Sequence, residues 1–343
     1  MLISEFDYEL PAELIAQEPL EERSASRMLV VDRTTGTISD RMFTHLPDLL
    51  ARDDLVIMND TRVFPARLQG MLETGGRVEI FLVRETDNGE WEVLAKPARR
   101  LRTGKTVVFG NDLSAEVVQR NEDGRVMIRF RAKGDLDRLI DKYGQTPLPQ
   151  YIKRAGQTDA DKARYQTVYA ERRGAIAAPT AGLHFTQDIF DRIQQKGIET
   201  ARITLHVGYG TFEPVRVDDT NAHAVMSERY EVSEVAANNL NTALQNKRRI
   251  VAIGTTTTRA LESNLAAGRG IFTPGQHTAD LTITPGYTFR AVGALLTNFH
   301  LPKSSLLILT STFGGHELIM KAYRHAVREK YRFYSYGDCM LIV

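Results

Sequence analysis

The feature that most constrains the fold is a run of six short, strand-like segments between residues 66 and 132. Each is rich in β-branched or aromatic residues, and turn sequences such as "DNG" and "EDG" separate them. Strands spaced roughly 8 to 12 residues apart, with no helix between them, are typical of a small antiparallel barrel. We therefore predict a six-stranded antiparallel β-barrel within residues 63–154.

The segments on both sides of this run follow a different pattern. After residue 159, strand-like segments such as "RIVAIG" alternate with amphipathic helical segments such as "TQDIFDRIQQKG", and residues 1–62 also mix strands with short helices. Such alternation favours a mostly parallel or mixed sheet. The predicted fold class is therefore α/β, with a discontinuous α/β domain of residues 1–62 and 155–343 and an inserted small antiparallel β-barrel.

Composition narrows the partners and the compartment. The net charge of +1 provides no overall attraction for nucleic acid, so RNA binding would require a local basic patch. The single cysteine, Cys339, excludes an intrachain disulfide and favours a reducing compartment. The first 20 residues do not resemble a signal peptide, and no apolar run approaches the roughly 18 residues of a membrane span. We expect a cytoplasmic protein with no membrane association.

Three histidines lie between apolar residues in loop-like stretches: His184 in "AAPTAGLHFT", His206 in "LHVGYGTFEPV" and His300 in "TNFHLPKSS". A single such histidine is usually a hydrogen-bonded core residue, but the repetition predicts one pocket built from three loops. Neutral imidazole in such a pocket acts as a general base near pH 7. A three-histidine zinc site is the alternative. The histidines lack the short spacing that usually supplies two ligands from one element, so we expect no metal.

The motif "RIVAIGTTTTRALES" predicts a strand, a glycine turn and a helix. The free N–H groups at a helix N-terminus, with the hydroxyls of the threonines and the guanidinium of Arg259, suit a carboxylate, a phosphate or ribose hydroxyls. Simple capping by threonine is the alternative. The motif is not a Walker A loop, because the Gly-Lys-Ser/Thr ending is missing. The candidate residues are Thr255, Thr256, Thr257, Thr258 and Arg259.

Two further loops follow predicted strands. Asp60 and Arg62 in "NDTR" come directly after a buried strand, which is where α/β proteins place ligands. Gly208 and Gly210 in "HVGYGTF" would let a ligand approach the backbone, but the third glycine of a dinucleotide-binding fingerprint is absent. A surface ion pair and a plain turn are the respective alternatives.

Two clusters of cations are candidate contacts for RNA phosphates, with solvated surface charge as the alternative. The first lies in a loop of the predicted barrel, and the second lies on a predicted C-terminal helix at i, i+3 and i, i+4 spacing. They comprise Lys96, Arg99, Arg100, Arg102 and Lys105 in the loop, and Lys321, Arg324, His325, Arg328 and Lys330 on the helix.

Five motifs in this order, "NDTRVFPARL", "AAPTAGLHFT", "LHVGYGTFEPV", "GTTTTRALE" and "TNFHLPKSSLLIL", resemble the S-adenosylmethionine:tRNA ribosyltransferase-isomerase family of queuosine biosynthesis. The resemblance extends from "FDYELP" to "YRFYSYGD". It implies an enzyme that transfers and isomerises the ribosyl moiety of S-adenosylmethionine onto 7-aminomethyl-7-deazaguanine at the tRNA wobble position. Epoxyqueuosine-tRNA forms, and adenine and methionine leave. The resemblance also implies a monomer that uses no metal.

This resemblance suggests roles for the candidate residues. His184 and His206 would remove a proton beside the sulfonium, and Asp60 or His300 would assist the departure of adenine. S-adenosylmethionine would be held by Gly208, Gly210, Thr255, Thr256, Thr257, Thr258 and Arg259, with the guanidinium on the methionine carboxylate. The tRNA contacts would be Arg62, Arg99, Arg100, Arg102, Lys105, Lys303, Lys321, Arg324 and Arg328, with Tyr209 and Phe212 as a stacking platform.

Two positions depart from the family pattern. Members often show His-x-Met-His-Ser-Glu where this chain has "HAVMSE", so His223 and Glu228 match but Met226 replaces the second histidine. We therefore assign no catalytic role to this stretch. Tyr209 stands where members often have a non-aromatic residue. A second hypothesis, a non-catalytic RNA-binding protein, predicts tRNA binding that is indifferent to S-adenosylmethionine.

Overall fold

The computed structural model describes residues 1–86, 88–121, 124–149, 151–153, 159–212 and 214–343, without the side chains of residues 159, 160, 211 and 212. Its strands are β1 (Arg27–Asp32), β2 (Thr37–Met42), β3 (Leu55–Asn59), β4 (Thr61–Val63), β5 (Arg67–Leu72), β6 (Arg77–Glu85), β7 (Trp91–Lys96), β8 (Thr106–Val108), β9 (Leu113–Arg120), β10 (Val126–Ala132), β11 (Gly144–Gln145), β12 (Arg172–Ala175), β13 (Glu199–Leu205), β14 (Glu228–Val232), β15 (Ile250–Ile253), β16 (Gly275–Ala279), β17 (Ala294–Asn298) and β18 (Cys339–Ile342). Its α-helices are α1 (Leu46–Leu49), α2 (Leu136–Tyr143), α3 (Asp159–Arg164), α4 (Gln187–Gln195), α5 (Glu234–Gln245), α6 (Thr255–Ala267), α7 (Ser305–Gly314) and α8 (His316–Arg328).

A nine-stranded mixed sheet forms the larger part of the molecule, in the order β16-β14-β13-β3-β15-β17-β18-β1-β2. The four neighbours β13, β3, β15 and β17 run parallel, and antiparallel pairings occur towards both edges. The central strands are apolar runs such as "LVIMN" and "IVAI" that are buried along their whole length. Continuous apolar runs are expected in strands that helices cover on both faces.

The alternating side chains of β3 divide the core of this sheet into two layers. Leu55 and Ile57 pack in the layer that includes α5, α6, α7 and α8. Val56 and Met58 pack in the layer that includes α1 and α4. Because side chains alternate across a strand, one apolar strand supplies both layers. The predicted discontinuous α/β architecture with a mixed sheet is confirmed.

The second sheet is the predicted barrel. Its strands follow the order β11-β5-β6-β7-β10-β9-β8, and pairing between β5 and β8 closes the ring. Val78, Ile80 and Leu82 of β6 are buried in its interior, in alternation with outward-facing residues. The six predicted strands are thus confirmed, and the two-residue β11 adds to one end of β5.

The chain enters and leaves the barrel between strands of the larger sheet, since β3 precedes it and β13 follows it. The predicted domain boundary at residues 154 and 155 lies outside the described residues, so the domain bounds stay a prediction. In the described part of the chain, no helix combines the length and the apolar character needed to cross a bilayer.

Candidate functional site

Four of the predicted motifs meet at one edge of the nine-stranded sheet. Asp60 follows β3, His206 follows β13, Thr255 follows β15 and His300 follows β17. These strands are parallel neighbours, so their carboxyl ends lie side by side; for example, Ile203 near the end of β13 pairs with Asn59 at the end of β3. The crevice outside the carboxyl ends of parallel strands is the usual ligand site of open α/β sheets.

A cavity of about 380 Å³, called the main cavity below, lies at this edge. It opens between the loop after β13, the start of α6 and the start of α7. Its polar lining includes His223, Glu228, Thr255, Thr256, Arg259, Lys303, Ser304 and Ser305, and its apolar lining includes Val225, Met226, Leu281, Ile283, Leu306 and Leu309. An apolar wall with a few convergent polar groups is typical of a small-molecule site.

Two helix N-termini face this cavity. α6 begins directly after Gly254, whose φ of 95° and ψ of 152° turn the chain sharply from β15, and no side chain caps the helix. α7 begins after Ser304, whose hydroxyl accepts a hydrogen bond from the Leu307 N–H at 3.2 Å. Helix N-termini carry free N–H groups and positive partial charge. This end of the cavity is therefore suited to an anionic group.

Two non-glycine residues of the lining have left-handed backbone conformations. Lys303 has a φ of 55° and Tyr334 a φ of 77°. The Lys303 N–H donates to the Phe6 carbonyl at 2.9 Å, and the Asn298 amide donates to the Tyr334 carbonyl at 3.0 Å. Such conformations are uncommon outside glycine and are retained where surrounding contacts impose them, often at functional sites.

Arg259 is held by the protein itself. Its Nη1 donates to Glu228 Oε2 at 2.8 Å, and Glu228 Oε1 accepts the Gly208 N–H at 3.0 Å. Its Nε donates to the Leu281 carbonyl, and its Nη2 donates to the carbonyls of Met226 and Ala279. Burial raises the pKa of Glu228, and the charge of Arg259 opposes that shift. The guanidinium thus holds the loop around the cavity and also lines that cavity, so its predicted contact with a ligand carboxylate stays a prediction.

The four threonines at the start of α6 divide into two pairs. Thr255 and Thr256 line the cavity. The Thr257 hydroxyl donates to the Ile253 carbonyl at 2.7 Å, and the Thr258 hydroxyl donates to the Gly254 carbonyl at 3.2 Å. Both of these hydroxyls bond four residues back along the chain, as buried helical threonines commonly do. The motif therefore places its first two threonines at the cavity and the last two in the helix core.

His300 borders a narrower cavity of about 60 Å³ that shares Thr255, Thr256 and Tyr334 with the main one. Its Nε2 lies 2.9 Å from the Thr297 hydroxyl. Burial lowers the pKa of His300 to about 3, so the ring is neutral at pH 7.

His184 lies elsewhere, in a pocket of about 30 Å³ beside Arg23 and Ser26. Its Nδ1 is 2.8 Å from the Ser26 hydroxyl. Burial lowers the pKa of His184 to about 4, and the nearby Asn298 side chain opposes that shift. His184 is therefore a neutral, buried residue that lines neither of the two cavities described above.

His206 and Asp60 also line neither the main cavity nor the cavity beside His300. His206 Nδ1 is 2.8 Å from the Thr61 hydroxyl, and burial lowers the pKa of His206. Asp60 accepts the Thr204 hydroxyl at 2.6 Å and lines a separate cavity of about 300 Å³. Burial raises the pKa of Asp60. Among the described cavities, the three predicted histidines therefore occupy different places and do not share one pocket.

Within the described residues, no three His, Cys, Asp or Glu side chains come together as metal ligands would. The arrangement of three ligands that the alternative zinc site requires is not found in that part of the chain.

Sequence reasoning missed several residues of the main cavity. His223 lines it, with Nε2 at 2.8 Å from the Ser305 hydroxyl, and burial lowers its pKa. Met226, the residue that departs from the family pattern, lines it too and lies 3.9 Å from the guanidinium of Arg125 on the barrel. The sequence signal for this part of the cavity is "HAVMSE", in which His223 and Glu228 match the family pattern and Met226 does not.

The predicted RNA contacts occupy three places. Lys303 lines the main cavity and pairs with Asp7 at 2.6 Å. Tyr209 packs against Phe81 of the barrel, and the side chain of Phe212 lies outside the described part of the structure. The other cations are exposed on the surface: Arg62, Arg99, Arg100, Arg102 and Lys105 on or near the barrel, and Lys321, Arg324 and Arg328 on α8.

Comparison with known proteins decides the family. The chain matches the model of the family described as queuosine biosynthesis protein over residues 3–342. The chain belongs to the queuosine biosynthesis protein family. Two curated relatives are named S-adenosylmethionine:tRNA ribosyltransferase-isomerase. The protein from Symbiobacterium thermophilum is 49% identical over 345 residues, covering 100% of both chains, and that from Caldanaerobacter subterraneus subsp. tengcongensis is 48% identical over 342 residues, covering 99% of each.

A solved structure agrees with this family assignment. The crystal structure of S-adenosylmethionine tRNA ribosyltransferase from Thermotoga maritima covers 99% of this chain and 100% of its own, with 36% identity and a TM-score of 0.56. The expected family, fold class and enzyme character of this queuosine biosynthesis protein are thereby confirmed.

Proposed function

We propose that this queuosine biosynthesis protein transfers and isomerises the ribosyl moiety of S-adenosylmethionine onto 7-aminomethyl-7-deazaguanine at the wobble position of tRNA. The products are epoxyqueuosine-tRNA, adenine and methionine. The observation that carries the proposal is the main cavity, where two helix N-termini face an apolar wall. Its volume of about 380 Å³ lies in the range of about 300–1,000 Å³ for small-molecule sites.

The cavity suggests an orientation for S-adenosylmethionine. Its carboxylate would lie at the helix N-termini, near Thr256 and Ser305, because those ends favour negative charge. The methionine chain and the adenine ring would pack against the apolar wall that contains Leu281 and Leu309. Gly210 would let the ligand approach the backbone. S-adenosylmethionine is a substrate in this proposal, and the reaction needs no further cofactor.

The sulfonium makes the neighbouring ribose C5′ protons acidic, so a base begins the rearrangement. His223 is our first candidate because it lines the main cavity, and His300 borders the adjoining one. The pKa of His300, about 3, makes it a weak base at pH 7, since general bases work best with a pKa near the operating pH. His300 is better placed to hydrogen-bond the departing adenine. His184 and His206, our first expectations, line neither cavity.

The tRNA would bind across the exposed cations of the barrel and α8, whose charges suit phosphates. Single-stranded loops are commonly bound by splaying their bases onto aromatic side chains, which suits an anticodon loop. We further propose that the protein works as a monomer in the cytoplasm, where its single cysteine stays a free thiol.

The test is to mix the purified protein with S-adenosylmethionine and an anticodon stem-loop carrying the aminomethyl-deazaguanine, and to measure free adenine by chromatography. We expect adenine and methionine only when both substrates are present, with a matching mass gain on the RNA. His223→Asn should abolish or strongly reduce adenine release. His45→Asn, a change at an exposed histidine outside the site, should leave it at the wild-type rate.

Two results would overturn the proposal. Tight stem-loop binding without adenine release, unchanged by S-adenosylmethionine, would make the protein an RNA-binding module. Adenine release from S-adenosylmethionine alone, with no mass gain on the RNA, would make it a hydrolase of the nucleoside.

A further inference from the structure

A further cavity of about 210 Å³, called the barrel cavity below, lies on the outer surface of the barrel. Strands β5, β6 and β7 form its floor, the segment Pro147–Pro149 forms one side, and Tyr209 from the loop after β13 forms another. The barrel and the α/β part of the chain thus both contribute to it. At about 30 Å³ per water, it has room for about seven waters, or for one flat ring system.

The floor of this cavity carries an outward-facing aromatic residue. In β6, Val78, Ile80 and Leu82 point into the barrel and are buried, so the alternation places Phe81 on the outside, where it is half-buried. Phe81 packs against the barrel core from outside and leaves part of its ring exposed. The Tyr209 ring meets Phe81 at a centroid distance of 6.1 Å and an interplanar angle of 67°, which forms an aromatic corner.

Polar groups surround this aromatic corner. The Arg67 guanidinium lies 5.9 Å from the centre of the Phe81 ring, and its Nε has no hydrogen-bond partner among the described residues although it is buried. The carboxylate of Glu79 and the ammonium of Lys96 also line the cavity. An aromatic corner with planar donors and a carboxylate acceptor matches a nucleobase, which has stacking faces and an edge of donors and acceptors.

The loop after β13 contributes residues both to this cavity and to the main cavity. Tyr209 lines the barrel cavity, and the next residue, Gly210, lines the main cavity. Consecutive Cα atoms are about 3.8 Å apart, so the two cavities are neighbours along this loop. Arg99 and Arg100 follow Lys96 by three and four residues and are exposed.

We propose that this barrel cavity binds a nucleobase of the anticodon loop that neighbours the modified base, stacked on Tyr209 and Phe81. The inference rests on the proposed function, because it takes its ligand from the same RNA. With the modified base at the mouth of the main cavity beside S-adenosylmethionine, the adjacent nucleotide would lie close to the barrel cavity, because Gly210 and Tyr209 line the two cavities. The barrel would therefore contribute to selecting the RNA sequence as well as to binding phosphates.

The test compares Phe81→Leu, Tyr209→Leu and Tyr209→Phe with the wild type. The probes are the modified stem-loop and two further stem-loops with an abasic site on either side of the modified base. Because stacking of one base contributes about 1–3 kcal/mol, we expect each leucine variant to bind the intact loop about 5- to 150-fold more weakly. Tyr209→Phe keeps the ring and should bind like the wild type. One abasic loop should bind all four proteins equally weakly.

The outcomes separate this inference from the proposed function. If the wild type releases adenine but the leucine variants bind every stem-loop as the wild type does, the cavity binds no base and the inference is wrong. If Phe81→Leu weakens S-adenosylmethionine binding and spares the stem-loop, the cavity belongs to the donor and the inference is also wrong. If the wild type releases no adenine, the proposed function itself fails. Unchanged thermal unfolding of Phe81→Leu would exclude a folding defect as the cause of weak binding.

Discussion

Arg259 and Glu228 are the charged pair on which the shape of the main cavity depends. Both side chains are almost fully buried, and together they connect α6 to β14 and to the Gly208 backbone. A buried pair of this kind contributes little compared with an apolar replacement of both residues, but removal of one partner leaves an uncompensated charge. Removal of one partner should therefore reveal, by a large loss of stability, whether the two side chains are buried together.

We predict that Arg259→Met lowers the free energy of unfolding by about 3–5 kcal/mol, because the Glu228 carboxylate stays buried without its partner. Urea denaturation followed by circular dichroism measures the change. Arg129→Met is the matched control, since Arg129 pairs with Glu90 at the surface of the barrel and its side chain is 59% exposed. That change should cost no more than about 1 kcal/mol. Equal losses in the two variants would contradict the buried pair.

His184 gives the chain a dependence of stability on pH. Its folded pKa of about 4 lies below the ordinary value of 6.5, so between these values the unfolded state binds more protons than the folded state. Stability from His184 is therefore complete above pH 6.5 and is lost as the pH falls towards 4. At 1.36 kcal/mol per pKa unit, the loss amounts to about 3 kcal/mol.

We predict that His184→Gln flattens the fall in unfolding free energy between pH 7 and pH 4.5. Gln keeps a hydrogen-bonding side chain near Ser26 but does not titrate. His45→Gln, at an exposed histidine, should keep the wild-type profile. The measurement is urea denaturation at several pH values. A wild-type slope in His184→Gln would show that the acid sensitivity arises elsewhere, for example at His300, whose pKa of about 3 acts in the same direction.

At the scale of elements, the junction between β15 and α6 decides where the helix N-terminus points. Gly254 has a φ of 95° and a ψ of 152°, a combination that is essentially restricted to glycine. A side chain there would force the turn to change or the helix to shift. Since Thr255 and Thr256 follow at once, any shift moves the proposed carboxylate site.

We predict that Gly254→Ala destabilises the protein by about 1–3 kcal/mol and weakens S-adenosylmethionine binding at least tenfold, because strain at this turn displaces the start of α6. Calorimetric titration and thermal unfolding measure the two effects. Gly286→Ala is the matched control: Gly286 has a φ of 97°, has open space around it and does not line the main cavity. It should lose stability but keep its affinity for S-adenosylmethionine. Similar affinity losses in both variants would argue against a site at the α6 terminus.

At the scale of the whole molecule, two exposed basic surfaces are candidate parts of the tRNA site. One lies on the barrel loop around residues 99–105, and the other lies on the outer face of α8, whose inner residues such as Ile319 and Tyr323 are buried. Net charge does not choose between them, because the whole chain carries only +1.

Salt dependence distinguishes the two surfaces. Each phosphate contact that is lost should reduce the slope of log K against log salt concentration by about 1. We predict that changing Arg99, Arg100, Arg102 and Lys105 to serine reduces the slope for stem-loop binding by about 3 to 4, and that changing Lys321, Arg324 and Arg328 reduces it by about 2 to 3. Fluorescence anisotropy over a salt series measures both. A surface whose variant keeps the wild-type slope takes no part in RNA binding.

Local patterns in the sequence were enough to predict the two architectures and the family. Period-two alternation and closely spaced turns specify barrel strands, and apolar runs followed by amphipathic helices specify a covered parallel sheet, because both patterns depend on neighbours along the chain. The motifs after β3, β13, β15 and β17 were also correctly predicted to follow the ends of strands. Parallel pairing then brings those ends to one edge, so the approximate place of the site follows from the same patterns.

Which residues of those motifs face the cavity depends instead on how the elements pack together. Thr256 and Thr257 are adjacent in the chain, yet one lines the cavity and the other bonds the Ile253 carbonyl, since successive helical residues point about 100° apart. His184 and His300 both stand between apolar residues in the chain, but they line different cavities. His223 joined the site through a contact with Ser305, 82 residues away in the chain. Side-chain direction and long-range contacts of this kind are set by packing between elements, which no local pattern encodes.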